Sequence, residues 1–162
     1  MDAGGGTCFN EAAVLGMAIT AIGGTAEAIG SAVGTFFGAL RPSSGVANAA
    51  EDANDIHSVL DPIAYDMRTT AVLQTEEGPE IAAGGASHDL TPAQRARAAQ
   101  LGIQTARMPG AHAEVTALQH ALQNGFTPDA LAVTRTICPA CQAAIEATGG
   151  KVVSPTTAIW PN

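Results

Sequence analysis

From residue 69 onward the chain switches repeatedly between a period of two and a period near 3.6. "TTAVLQT" is rich in β-branched residues and reads as a strand. "EEGP" supplies a turn and "EIAAGG" a weaker second strand, which together make a hairpin. "LTPAQRARAAQLG" reads as a helix with both ends marked. Thr91 is a good N-cap, Pro92 suits the first helical position, and Gly102 suits the C-terminal stop. "IQTARMPG" is extended and ends in a Pro-Gly turn. "HAEVTALQHALQNG" is another helix, stopped at Asn124-Gly125, and "DALAVTRTI" is a buried strand. "CPACQAAIEATGG" is a helix whose first turn begins at the cysteines. "KVVS" and "TAIW" are short strands around a Ser-Pro turn. Only Ser154 to Thr157 are available to reverse the chain there, so the last two strands should be antiparallel; a parallel pair needs a longer crossover. The resulting order, β-β-α-α-β-α-β-β, predicts an α/β layered domain without an internal repeat.

The pattern ahead of residue 69 is different. Residues 11–40, "EAAVLGMAITAIGGTAEAIGSAVGTFFGAL", are apolar and rich in Gly and Ala. Gly30, Gly34 and Gly38 share one helix face and allow close backbone approach. Glu27 is costly in lipid and the glycines weaken a helix, so a helix packed on its own domain, or a leftover of a longer protein, is preferred to a membrane-active segment. "RPSSG" breaks the chain, and a second helix is expected over 46–60, ending before Pro62. This divides the sequence into an acidic helical leader or linker, 1–66, and a compact domain, 67–162, for which no stable membrane anchor is expected.

Charge sharpens the division. Residues 1–66 hold eight acids against Arg41 alone, whereas 67–162 hold seven acids against six bases. No basic run marks a nucleic-acid surface, which weakens that class of partner without excluding it. Apolar residues make up 46% of the chain and aromatics 4%, so a core must be built from small aliphatic side chains. The three cysteines do not suggest a disulfide framework, and Cys8 is remote from the other two. The start, with Asp2 and Glu11, lacks the basic region of a secretory signal.

Cys138 and Cys141 form C-P-A-C at a helix start. Alone, this spacing fits a redox pair, a structural zinc clip or half of a catalytic metal site. His112 and Glu114, as H-A-E, open the preceding helix. A redox pair has no need of them, and a structural zinc wants four protein ligands. Spare fourth ligands exist in Cys8, His57, His88 and His120. His120 lies about 12 Å beyond His112 by helix rise, too far to share a metal. A set of His112, Cys138 and Cys141 leaves one position open for water, as catalysis requires. Glu114 would project into the same pocket without ligating and would move the proton. Pro139 sits in the first helical turn, where its missing N–H costs nothing.

H-A-E followed by C-x-x-C at two successive helix starts, with a strand between them, resembles the zinc-dependent cytidine-deaminase-like superfamily, whose signature is H-x-E then P-C-x-x-C. The likeness covers roughly 69–162 and is greatest to deaminase domains at the C-termini of bacterial polymorphic toxins. It implies a three-layer α/β fold with a mixed sheet. It also implies one zinc ion held by His112, Cys138 and Cys141, with Glu114 as proton shuttle. The implied reaction is hydrolytic deamination of cytosine to uracil in nucleic acid, single-stranded DNA being favoured over double-stranded DNA or RNA. A larger secreted carrier polypeptide, a cognate immunity protein, and delivery by a bacterial system into the target-cell cytoplasm belong to the same expectation. Ile137 stands where the pattern usually has proline, and proline follows the first cysteine instead, as Pro139. The alternatives from other classes are a deaminase of free cytidine- or adenosine-type nucleosides or bases, and a non-catalytic zinc-stabilised interaction module.

Substrate contacts are expected from Ala113, Ile137, Arg107, Arg135 and His88, set against the plainer reading of His88 as a surface loop residue. Arg95 and Arg97 read as a solvated helix face. Trp160 reads as completing a small core rather than as a stacking platform.

Overall fold

The computed structural model describes residues 44–85 and 88–161. The apolar stretch 11–40 and Cys8 lie outside the described residues. Five helices and six strands follow one another: α1 (Ser44–Ser58), α2 (Pro62–Met67), β1 (Thr70–Thr75), β2 (Glu80–Gly84), α3 (Pro92–Leu101), β3 (Gln104–Ala106), α4 (Ala113–Gln123), β4 (Pro128–Val133), α5 (Pro139–Ala147), β5 (Lys151–Ser154) and β6 (Thr157–Ile159). Among these, no helix is long and apolar enough to cross a membrane.

The strands form one mixed sheet in the order β3-β2-β1-β4-β6-β5. Only β2 and β3 are parallel, joined through α3; the other neighbouring pairs are antiparallel. The β5–β6 hairpin closes as the short Ser154–Thr157 connection requires. "IQTARMPG" contributes β3, a three-residue edge strand that the sequence shows only as extended.

Strand alternation sorts the core into two layers. Ala71, Leu73, Ile81, Ala83, Leu131 and Val133 point to one face, where α4 and α5 pack. Val72, Ala82 and Ala132 point to the other, against α1 and α3. The architecture is therefore helices, sheet, helices. On α4, Ala113, Ala117 and Ala121 recur every fourth residue and are wholly buried, so the helix lies close to the sheet. Trp160 closes the α4–α5 layer and donates its indole N–H to Thr148 Oγ1 at 3.0 Å. The markers read on α3 hold: Thr91 and Gln94 form a capping box, and Gly102 takes the left-handed conformation with φ 76°.

The helix expected at 46–60 is α1, but it is not a separate leader. Ala49, Ala53 and Ile56 are buried against β1, β4 and α3, so the core reaches back across the boundary set at 66/67. Asp55 and Arg97 tie α1 to α3 through two nitrogen–oxygen contacts of 3.0 and 2.5 Å. Arg97 is thus a brace between helices rather than a merely solvated residue, and Arg95 donates to Leu90 O. α2 follows Asp61, whose carboxylate caps the amides of Ile63 and Ala64.

At the end of the sheet where β2 begins, Glu80 accepts from the Gln74 amide at 2.9 Å and neighbours Asp52 of α1. Burial, then the hydrogen bond and charge of Asp52, push its carboxyl up to about 7, against the pull of Gln74. A carboxyl whose folded pKa is raised stabilises the fold below its unfolded value of 4.5 and loses that contribution as pH rises through about 7. Glu80→Gln imitates the protonated form at every pH. The melting temperature of the wild type should therefore fall relative to that of Glu80→Gln between pH 5 and pH 8. A constant difference across that range would show that Glu80 does not hold its proton in the fold.

Candidate metal centre

The connection from β3 and the connection from β4 both lead into helices at the same edge of the sheet. β2 and β3 run parallel into that edge, and β4 reaches it at Val133, opposite Ala71 at the start of β1. His112 is the N-cap of α4 and Cys138 the N-cap of α5. Both have extended backbones, and both side chains turn to the space between the helix ends. The His112 ring makes no cap hydrogen bond; its Nδ1 lies 3.3 Å from Cys141 Sγ and 3.6 Å from Cys138 Sγ. The two sulfurs are 3.1 Å apart. Cys138 Sγ also accepts the Cys141 amide at 3.4 Å, and Pro139 occupies the first helical turn, where no N–H is wanted.

The donor set fits a metal of zinc's class. Tetrahedral zinc with ordinary bond lengths separates sulfur from sulfur by about 3.8 Å and sulfur from nitrogen by about 3.6 Å. The observed separations are within about 0.7 Å of these. One imidazole and two thiols, all within 4.8 Å of one another, form a group able to hold a metal ion. They come from two helix N-termini, whose positive ends favour thiolate over thiol. Histidine and cysteine are the soft and borderline ligands that zinc prefers.

Glu114 stands beside this group and is not part of it. It lies in the first turn of α4 and is only 4% exposed. Burial pushes its carboxyl above the usual carboxylate range, while its own backbone N–H, the charge of His112 and the Cys141 thiol pull it back. Glu114 is thus a buried acid beside the three donors.

The remaining sequence candidates occupy two environments. Ala113 is wholly buried at the start of α4, and Ile137 is buried in the core with its N–H donated to Pro155 O at 2.8 Å. Neither side chain faces solvent. Arg107 is exposed and ion-paired with Asp89; Arg135 is exposed and donates to Asp66 O at 3.1 Å. His88 is exposed in the loop after β2, its N–H donated to Gly85 O. Of the spare histidines, His57 has both ring nitrogens engaged elsewhere, and His120 lies near the far end of α4.

Sequence reasoning missed what frames the rim. A methyl group added to Gly85 would stand 3.0 Å from the Ala113 amide nitrogen and 3.6 Å from Thr69 Cβ. The loop after β2 and the chain entering β1 therefore meet at the mouth of α4. Asp89 knots this rim, since its carboxylate pairs with Arg107 and its carbonyl accepts from Arg68 at 3.0 Å. The signal was present in "AGGASHD": paired glycines ahead of a polar loop mark a close backbone approach.

No family model, curated protein or solved structure matches the chain. The reading of the centre rests on its own chemistry. One zinc per chain is expected by elemental analysis, and Cys138→Ser or His112→Ala should lose it. Both variants should also melt well below the wild type, because the free energy of metal binding is also folding energy. Full zinc retention in Cys138→Ser would refute the ligand assignment.

Proposed function

We propose that this chain is a zinc-dependent hydrolytic deaminase converting cytosine to uracil in nucleic acid, with single-stranded DNA as the favoured substrate. The observation that carries the proposal is the buried carboxyl of Glu114 set against a His112–Cys138–Cys141 group at two helix N-termini. Three protein donors leave a coordination position for the reaction, whereas a purely structural site closes with four. The resemblance of H-A-E and C-P-A-C to the deaminase signature supports the same assignment.

His112, Cys138 and Cys141 would hold the metal, which when bound supplies Lewis-acid activation of water. The chain's own chemistry then centres on Glu114. Its carboxylate accepts a proton from the attacking water as the oxygen bonds to C4 of the ring. It returns that proton to the ring nitrogen, and then carries the second water proton to the departing amine. The C–N bond breaks, ammonia leaves, and the ring keeps a carbonyl. Water and an amino-pyrimidine are consumed; ammonia and a pyrimidinone are formed, with no redox change. A carboxyl raised by burial suits both halves of this cycle, since it must take up and release a proton near neutral pH. The helix N-termini favour the negative charge that develops at the attacked centre.

On this reading the domain is an interbacterial toxin. It travels on a larger secreted polypeptide, is held in check by a cognate immunity protein, and acts in the target-cell cytoplasm. The toxin assignment rests on the resemblance alone. The near-neutral charge of 67–162 favours a second reading, a deaminase of free nucleosides, which has no polyanion to attract.

Sequencing of DNA and RNA after exposure to the zinc-loaded protein separates these readings. Excess C-to-T changes in DNA are expected. Glu114→Ala should reduce them by at least about a hundredfold while keeping its zinc, as loss of a general acid–base does. Ammonia released from free cytidine alone would select the nucleoside reading. No ammonia from any cytosine or adenine substrate would overturn deamination.

A further inference from the structure

The near-neutral total of residues 67–162, seven acids against six bases, hides a polarity across the sheet. Strand register fixes which residues share an edge. Thr70 at the start of β1 pairs with Gly84 at the end of β2, Ala71 pairs with Val133 at the end of β4, and Ala83 pairs with Ala106 at the end of β3. Arg68, Arg107 and Arg135 each lie within two residues of one of these ends. This is the edge that leads into His112 and Cys138. The opposite edge is acidic: β1 runs out into Glu76 and Glu77, β2 opens at Glu80, and Asp129 is the second residue of β4.

Three of the six lysines and arginines among the described residues thus stand at the metal edge. The others do not. Arg97 is paired with Asp55, Arg95 lies on α3 in the other layer, and Lys151 opens β5 at the acidic edge, paired in register with Ile159. Along the chain Arg135 is three residues from Cys138 and Arg107 five from His112. Fully extended backbone therefore limits their Cα atoms to about 11 Å and about 18 Å from those donors. Arg68 precedes Thr69, which lies against Gly85 at the mouth of α4.

The way these arginines are held leaves their charge available. Arg68 donates to Asp89 O at 3.0 Å and Arg135 to Asp66 O at 3.1 Å, each through one terminal nitrogen. A backbone carbonyl aims a guanidinium without cancelling its charge, and most of its five donors remain. Arg107 meets the Asp89 carboxylate through Nε, and its side chain is 73% exposed. Of the acids nearby, Asp89 is engaged with Arg107, Asp61 caps α2 and Glu114 is buried, which leaves Asp66 exposed. Guanidiniums fixed in this way suit phosphate oxygens, which they bind as a fork.

We propose that Arg68, Arg107 and Arg135 form a phosphate-binding rim that seats a single polynucleotide strand across the metal centre, so that the substrate is a polymer and not a free nucleoside. The rim rests on the deaminase reading for the base it presents, and on charge alone for the strand it holds. Its contacts position the strand without reading sequence. The acidic far edge repels the same polyanion and leaves one face of approach.

Fluorescence anisotropy of a labelled single-stranded oligodeoxynucleotide tests this, with the zinc-loaded full chain carrying Glu114→Ala so that nothing is turned over. Between about 50 and 200 mM salt, three phosphate contacts should give a slope of about −2 in log K against log salt. Arg107→Gln should reduce the size of that slope by about 0.7 and weaken binding by up to about fivefold. Gln at all three positions should abolish the slope, and Lys at the same positions should restore it, a rescue that a merely structural role would not give. Lys151→Gln, at the acidic edge, should bind as the parent does. A parent that does not bind, an unchanged slope in Arg107→Gln, or an equal loss in Lys151→Gln overturns the rim. The exposed Arg107 alone decides if the triple variant does not fold. The two readings fail separately. Ammonia from free cytidine without strand binding overturns the rim and leaves the deaminase. Strand binding with the expected slope and no deamination overturns the deaminase and leaves the rim.

Discussion

The constraint on which the structure turns is convergence. Three soft donors, two of them separated by 26 residues of chain, must come within 4 Å of one another while each remains the opening residue, or nearly so, of a helix. Helix starts are the one place where a side chain can leave the regular ladder and still have its backbone anchored. The sheet supplies the second half of the solution. β3 and β4 deliver their helices to one edge, and the alanine face of α4 lets that helix sit low on the sheet. A bulkier residue at 113, 117 or 121 would lift the N-terminus of α4 and carry His112 away from the sulfurs.

The two faces of the sheet then divide the work. The α4–α5 layer holds the donors and Glu114, with Trp160 as its buried aromatic and Phe126 packed against it. The α1–α3 layer contributes no ligand but fixes β1 and β4 from behind, and its polar chain through Thr70 reaches the strand ends that border the centre. Thr70 receives Gln94 and engages His57 with its side chain, while its backbone is paired with Thr134, four residues before Cys138. A buried polar network of this kind is stable only when complete, which ties the order of the rim to the integrity of the opposite layer.

Much of this was legible in residues. The caps Thr91 and Gly102, the Ser-Pro reversal before the last strand, and the paired H-A-E and C-P-A-C helix starts are local signals, and local signals survive without tertiary information. What failed was anything decided by packing at a distance. Residues 46–60 looked like part of an acidic leader because they carry Glu51, Asp52 and Asp55, of which the structure engages Asp52 with Glu80 and Asp55 with Arg97. Their buried face is Val46, Ala49, Ala53, Ile56 and the polar His57, a pattern too small in apolar volume to announce a core. Ile137 and Ala113 were set near substrate by their sequence position beside ligands, yet their side chains turn inward. His57 was counted as a spare ligand because composition cannot show that Tyr65 and Thr70 already occupy both nitrogens.

The backing of the sheet by α1 bears on how the domain is cut. A polypeptide that starts at residue 67 loses Ala49, Ala53 and Ile56 and leaves the face of Val72, Ala82 and Ala132 covered only by the α3 side, Leu90, Ala98 and Ile103. The part that α1 leaves open is a flat apolar surface on a β-sheet, the kind of surface that drives self-association. A fragment that keeps this layer of the core whole must therefore retain α1 and begin no later than Ser44.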